Sequence, residues 1–374
     1  MKSFKQYVQM LTEAKGKFPV NRGHAYEFVL AAAMVARFTD RYDGGEPMPL
    51  TPKSVRKTMV MHQKGWIAWE VDEGDEKVDE VEFNSEGLPK SVHLKWKAWS
   101  KHPETNKMIE KAIKHVNGNQ TLENLSFEVI TNHKADEIEV RCVGTEGQNN
   151  TKSDIDVYVN GREKRKVGFS VKYGGTQQGG QFAGKDAVKN LIDGFASFDI
   201  DVGGMVGPVE DAAADIVGVY EPPAKPGDYD IISDKSIMFP AVKEVFGKVV
   251  KIYTSKVLTN PKIINSLMKG LRKANFGKEK DVEIMRGHSP VTYNKKTFEK
   301  FGAYIRKAGA DNEAEFRLER DALATLGLYA YGNKMFQLRF RYDRDLNNKD
   351  GKYHARFRLY VENGSYLDTL AERK

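Results

Sequence analysis

The chain has almost no cysteine: Cys142 is the single thiol among 374 residues. One cysteine cannot close an intramolecular disulfide, so a disulfide-stapled secreted scaffold is excluded and a reducing compartment is expected. Cysteines and histidines nowhere fall at zinc-ligand spacing, which argues against a zinc finger. Long hydrophobic runs are missing too. The longest, Phe28 to Ala36, falls far short of the roughly 20 residues that span a bilayer. The start, Met1-Lys2-Ser3-Phe4-Lys5-Gln6-Tyr7, lacks the apolar region of a signal peptide. A soluble, cytoplasmic protein with no membrane partner is expected.

What is present supports a folded chain. Hydrophobic residues make up 40% and charged residues 30%, enough apolar material for a real core. Lysine and arginine number 59 against 52 acids, a formal charge of +7 that permits a polyanionic partner without singling one out. The length suits one elaborated domain or two.

Along the chain, residues 3–14 read as a short amphipathic helix. Gly23 to Phe38 reads as a stronger one, with Phe28, Val29, Ala32 and Val35 at helical spacing. Residues 70–86 hold nine acids against the single base Lys77, the composition of a solvated hairpin or loop. Short strands are expected at 127–130, 138–143, 154–159 and 167–172, with an Asn160-Gly161 turn between the last two. A glycine- and glutamine-rich loop is expected at 173–181 and a helix over 184–198. Glu221-Pro222-Pro223-Ala224-Lys225-Pro226-Gly227 reads as a linker, because dense proline forbids helix. It divides the chain into 1–220 and an α+β portion over 228–374. In the latter, helices are expected around 236–247, 260–274 and 313–326, with closing strands at 335–342 and 353–361.

One constellation could carry chemistry. Asp154 and Asp156 sit two apart on a strand, so their side chains leave one face. Ser170 and Lys172 share a face of the next strand, and antiparallel pairing would bring the Asp and Lys ends to the same edge. Glu27 lies on the helix 23–38 in line with Ala31, Met34 and Phe38, and a buried carboxylate is costly unless paired or metal-bound. Two carboxylates about 4 Å apart repel by roughly 4 kcal/mol at an effective dielectric near 20, so a cation stabilises them. Mg²⁺ suits such a site because it binds one or two carboxylates and keeps several waters. A divalent ion can activate water for attack on phosphorus and neutralise developing charge, and a lysine nearby can orient that water.

These residues resemble the PD-(D/E)XK nuclease superfamily, in its restriction-type branch with serine in place of the second acid. The matching pieces are Gly23-x-x-x-Glu27, Ser153-Asp154 opening a strand, and Phe169-Ser170-Val171-Lys172 on the next. The resemblance covers about the first 200 residues, with an insertion at about 40–126. It implies a restriction-endonuclease-like α/β/α core with a central mixed sheet. It also implies Mg²⁺-dependent (or Mn²⁺-dependent) hydrolysis of phosphodiester bonds in DNA. Asp154, Lys172 and Glu27 would form the active-site set with Ser170 beside them. Asp154, Asp156 and Glu27 are the candidate metal ligands. The restriction-type reading points to a phage- or bacterium-encoded enzyme, in the former case acting in the host cytoplasm. Nucleases of this kind often act as homodimers.

Two other readings use the same residues. Gly144-Thr145 followed by Asp154-Ile155-Asp156 resembles the signature of polymerase-beta-like nucleotidyltransferases, although that assigns no work to Lys172 or Glu27. A non-catalytic DNA-binding or virion-associated protein is the third. DNA contacts are expected from Gln177 and Gln181 beside Lys172, and from the C-terminal hairpin. There, Arg339, Arg341, Arg356 and Arg358 alternate with apolar residues and would share one face. Like charges on one face are unfavourable without an anion, and arginine binds phosphate bidentately.

Overall fold

The computed structural model describes residues 18–39, 42–43, 46–47, 49–72, 78–132, 135–143, 153–161, 165–172, 178–216, 218–221, 229–276, 282–286, 295–320, 323–346 and 350–370. The expected helix at 3–14 and all of the linker but Glu221 lie outside them.

Helix α1 (Arg22–Thr39) begins where Asn21 Oδ1 accepts from Gly23 N at 2.8 Å. Every residue from Ala25 to Phe38 is buried. A helix apolar nearly all round must be surrounded, and α1 is packed by α2 (Pro52–Gln63), α3 (Pro103–Asn117), α4 (Gln120–Asn132) and the sheet beneath. Thr51 and Ser54 cap the start of α2 reciprocally, with Pro52 at its first turn. Phe28 contacts the rings of Phe83, Trp96, Trp99 and His62, so truncating it to alanine should cost about 3–5 kcal/mol.

The strands of this first unit are β1 (Ala68–Asp72), β2 (Val78–Asn84), β3 (Ala135–Cys142), β4 (Ile155–Gly161) and β5 (Arg165–Lys172). The chain then continues through β6 (Gln178–Gly184), α5 (Ala187–Ala196), β7 (Val219–Tyr220), α6 (Tyr229–Ile252) and α7 (Pro261–Phe276). It returns to the first sheet with β8 (Val282–Arg286), then completes the second unit with α8 (Lys295–Ala310), β9 (Ala314–Leu318), β10 (Ala324–Ala330), β11 (Asn333–Leu346) and β12 (Tyr353–Asn363).

The first sheet has the order β8-β5-β4-β3-β2-β1 and is mixed. β8 runs parallel to β5 and β3 parallel to β2, while the other neighbours are antiparallel. The acidic segment forms the β1–β2 hairpin, with Glu70 opposite Glu80. Ile138, Val140, Ile155, Val157, Phe169 and Val171 join α1 in one core. The alternate residues of the same strands are mostly polar and form the opposite face. The resemblance implies helices on both faces; those described in this unit gather around α1 on one.

The second sheet, β9-β10-β11-β12-β6 with β7 also on β12, is antiparallel. Tyr331 and Gly332 both have positive φ, as a two-residue turn between β10 and β11 requires. Buried Asp234 on α6 accepts from Tyr342 OH at 2.6 Å and from Tyr220 OH, tying β7 and β11 to the helix.

Four expectations are corrected. Residues 127–130 lie in α4 rather than a strand. Where a helix is expected over 313–326, Ala314–Leu318 form β9 and Ala324 starts β10, because Ala314 and Phe316 alternate into the core. The loop expected at 173–181 ends in β6, which pairs with β12. That pairing moves the division of the chain: the first unit comprises 1–175, 278–292 and 373–374, and the second 176–277 and 293–372. The boundary is therefore not at 220.

Candidate functional site

Asp154, Ser170 and Lys172 lie at one end of the first sheet. β3 finishes at Cys142, in register with Ile155 at the start of β4, which is itself opposite Phe169 on β5. Asp154 sits in the bend before β4. Its amide donates to Phe169 O at 2.8 Å, and its carbonyl accepts from Val143 N at 2.9 Å. The aspartate is thus held between the ends of two neighbouring strands. Its carboxylate is fixed as well: Oδ2 accepts from Val171 N at 2.6 Å and from Ser170 Oγ at 3.3 Å. Ser170 therefore orients Asp154.

Helix α1 brings the acid that lies far away in sequence. Glu27 is only 7% exposed, and one turn earlier is His24. Burial holds the His24 imidazole below its usual value, against the pull of the Asp154 charge. Burial pushes the Cys142 thiol well up, and the Glu27 charge adds to it. Both couplings place this turn of α1 within electrostatic reach of the β3 and β4 ends. His24 and Cys142 were not read as site neighbours from sequence; the i, i+3 spacing of His24 and Glu27 was the signal available for the first.

Lys172 closes β5 in register with Arg286 of β8, one residue beyond the amide that holds Asp154; its side chain lies outside the described residues. Asp156 behaves differently from Asp154. Oδ2 is bound by Lys166 Nζ at 3.0 Å and by Tyr158 OH at 3.3 Å, on the polar face of the sheet. Its buried Oδ1 has no hydrogen-bond partner among the described residues, nor does the Ser153 hydroxyl on the other side of Asp154.

These donors suit a hard cation in one respect. Glu27 and Asp154 are buried carboxylates, and Asp156 Oδ1 and Ser153 Oγ are oxygens in want of a partner. Among the described residues, however, no three His, Cys, Asp or Glu side chains gather as a metal cage. An ion bound by one or two carboxylates that keeps its waters needs no such cage.

In the second unit, the arginines share the polar face of β11 and β12, with Arg341 directly opposite Arg358. The sheet supplies some of its own anions. Arg339 lies 3.4 Å from Glu362, and Arg358 Nε lies 3.3 Å from Asp343. Arg341 stacks over the Tyr360 ring at 5.5 Å. Arg356 is in register with Asp343, and exposed Gln181 on β6 is in register with Tyr360. Gln177 lies outside the described residues.

No family model, curated protein or solved structure matches the chain. Among the described residues, no helix is long and apolar enough to cross a membrane.

Proposed function

We propose that the chain is a divalent-metal-dependent endonuclease that hydrolyses phosphodiester bonds in DNA, with the restriction-endonuclease-like arrangement that its motifs resemble. One observation carries the reading. A strand-opening aspartate is fixed by the amide of Val171 at the end of the next strand, which closes in Lys172, and the buried Glu27 lies on the helix packed against the same sheet.

Glu27 and Asp154 would hold Mg²⁺ or Mn²⁺, with Asp156 Oδ1, two residues on, a further oxygen left without a partner among the described residues. Such an ion supplies charge neutralisation at the phosphate and a lowered pKa for water. The rest belongs to the chain. Val171 N and Ser170 Oγ hold the Asp154 carboxylate in one orientation, so its position is set before substrate arrives. Lys172 is assigned to orient the attacking water and to offset charge on the phosphate. The arginine face of the second unit is assigned to phosphate contact, with Arg339 and Arg358 exchanging acidic partners for phosphate.

The nucleotidyltransferase reading needs Asp154 and Asp156 as an equivalent pair, and the Lys166 and Tyr158 contacts of Asp156 favour it less. A plasmid nicking assay with Mg²⁺, with EDTA, and with Lys172→Ala decides. Metal-dependent nicking lost in the variant is expected. Nucleotide incorporation into intact DNA, or tight binding with no cleavage, would overturn the assignment.

A further inference from the structure

The first unit contains a cavity of about 510 Å³ that the proposed hydrolysis does not use. Its walls come from the end of α2 (His62, Gln63), the following turn (Ile67), the end of β2 (Glu82, Ser85) and His93. It adjoins the candidate site through Gly87. A Cβ there would lie 2.2 Å from Cys142 O and 2.6 Å from Val143 O, so only glycine lets this turn press against the end of β3. Val143 in turn donates its amide to Asp154 O at 2.9 Å. β2 and β4 are two strands apart in the sheet, a separation of about 10 Å.

The wall chemistry selects a ligand class. The Trp66 carbonyl can only accept, so His62 Nδ1, 3.3 Å away, carries the proton. His62 Nε2 then accepts from Ser85 Oγ at 2.7 Å. Burial lowers that imidazole to about 4, so it is neutral near pH 7 and offers no charge to an anion. Beside His62 and His93, the ionisable lining is Glu82 and Glu86 against Lys90, an acidic excess that disfavours phosphate. A neutral ring with donor groups fits better. A carboxylate accepts from an exocyclic amine such as cytosine N4, and aromatic faces stack on any base. Ile67 lines the cavity and is 61% exposed, and the rings of His62, Phe83 and His93 also line it.

We propose that this cavity receives one unpaired, amine-bearing nucleobase of a nucleic-acid strand whose backbone passes Asp154. The proposal rests on the nuclease reading and narrows it to substrates with splayed or single-stranded bases. Its test is run in EDTA, so that cleavage plays no part. Fluorescence anisotropy of the full chain with labelled single-stranded oligo-dC and oligo-dT, equal in length, should show dC bound at least fivefold tighter. His93→Ala should weaken both about fivefold, and Glu82→Leu should abolish the dC preference. Equal affinity for dC and dT, or affinities unmoved by His93→Ala, would overturn the base pocket even where nicking by the unmodified protein upholds the nuclease. Conversely, absence of nicking with the dC preference intact removes the hydrolase and leaves a base-binding site.

Discussion

Asp154 Oδ2 and the backbone amide of Val171 lie 2.6 Å apart, joining the start of one strand to the end of the next. The contact makes the aspartate structural as well as functional. Asp154→Ala leaves a buried N–H without its acceptor and should cost about 1–3 kcal/mol, whereas Asp154→Asn keeps an oxygen there and should cost less. Urea denaturation of the two variants checks the order. Both should abolish metal-dependent nicking.

Lys172→Ala should lower nicking about 100-fold or more while leaving stability within about 0.5 kcal/mol. Single-turnover cleavage beside a urea melt separates the two effects.

Asp156 depends on Lys166. Replacing Lys166 with methionine leaves a buried carboxylate with the Tyr158 hydroxyl and should cost about 1–3 kcal/mol, the lysine being partly exposed. Lys166→Arg should recover most of it. A loss as large in Lys166→Arg as in Lys166→Met would show that charge is not what matters there.

His62 predicts a pH dependence. Its folded value is about 4 against an ordinary 6.5, so the unfolded chain binds the extra proton between those limits. Stability from this group is complete above about 6.5 and is lost as pH falls toward 4. The loss is about 2 kcal/mol after allowance for partial exposure. His62→Gln should flatten this part of the stability–pH curve measured by urea denaturation.

The arginine face predicts a salt dependence. Contact with about four phosphates would contribute a slope near −3.6 to log affinity against log salt. Replacing Arg339, Arg341, Arg356 and Arg358 with alanine should remove most of it. An unchanged slope would end the role of that face.

Where the pattern is local, the sequence already carried it. Residues 154–159 and 167–172 alternate strictly, and β4 and β5 pair antiparallel. Helix 23–38 was legible from its apolar spacing, though its burial on every side came from packing. The failures share a cause. Residues 313–326 are rich in Ala, Glu, Leu and Arg, good helix formers, yet pairing of β9 with β10 outweighs propensity. Phe127-Glu128-Val129-Ile130 has strand-forming residues but continues α4. The β6 partner lies in β12, far along the chain, and no local signal announces it. At the site, the motif positions were readable. That Asp156 pairs with Lys166 and that Ser170 braces Asp154 depended on register.

β8 has a consequence for biosynthesis. Because 278–292 belongs to the first unit, the ribosome must deliver most of the second before β5 receives its parallel neighbour. Until then the nascent polypeptide carries a bare strand edge beside Ser170 and Lys172, the kind of edge that invites pairing with another molecule. A fragment ending at 175 should therefore aggregate, and co-expressing the remainder as a separate polypeptide should rescue its solubility only when that piece includes Val282 to Arg286.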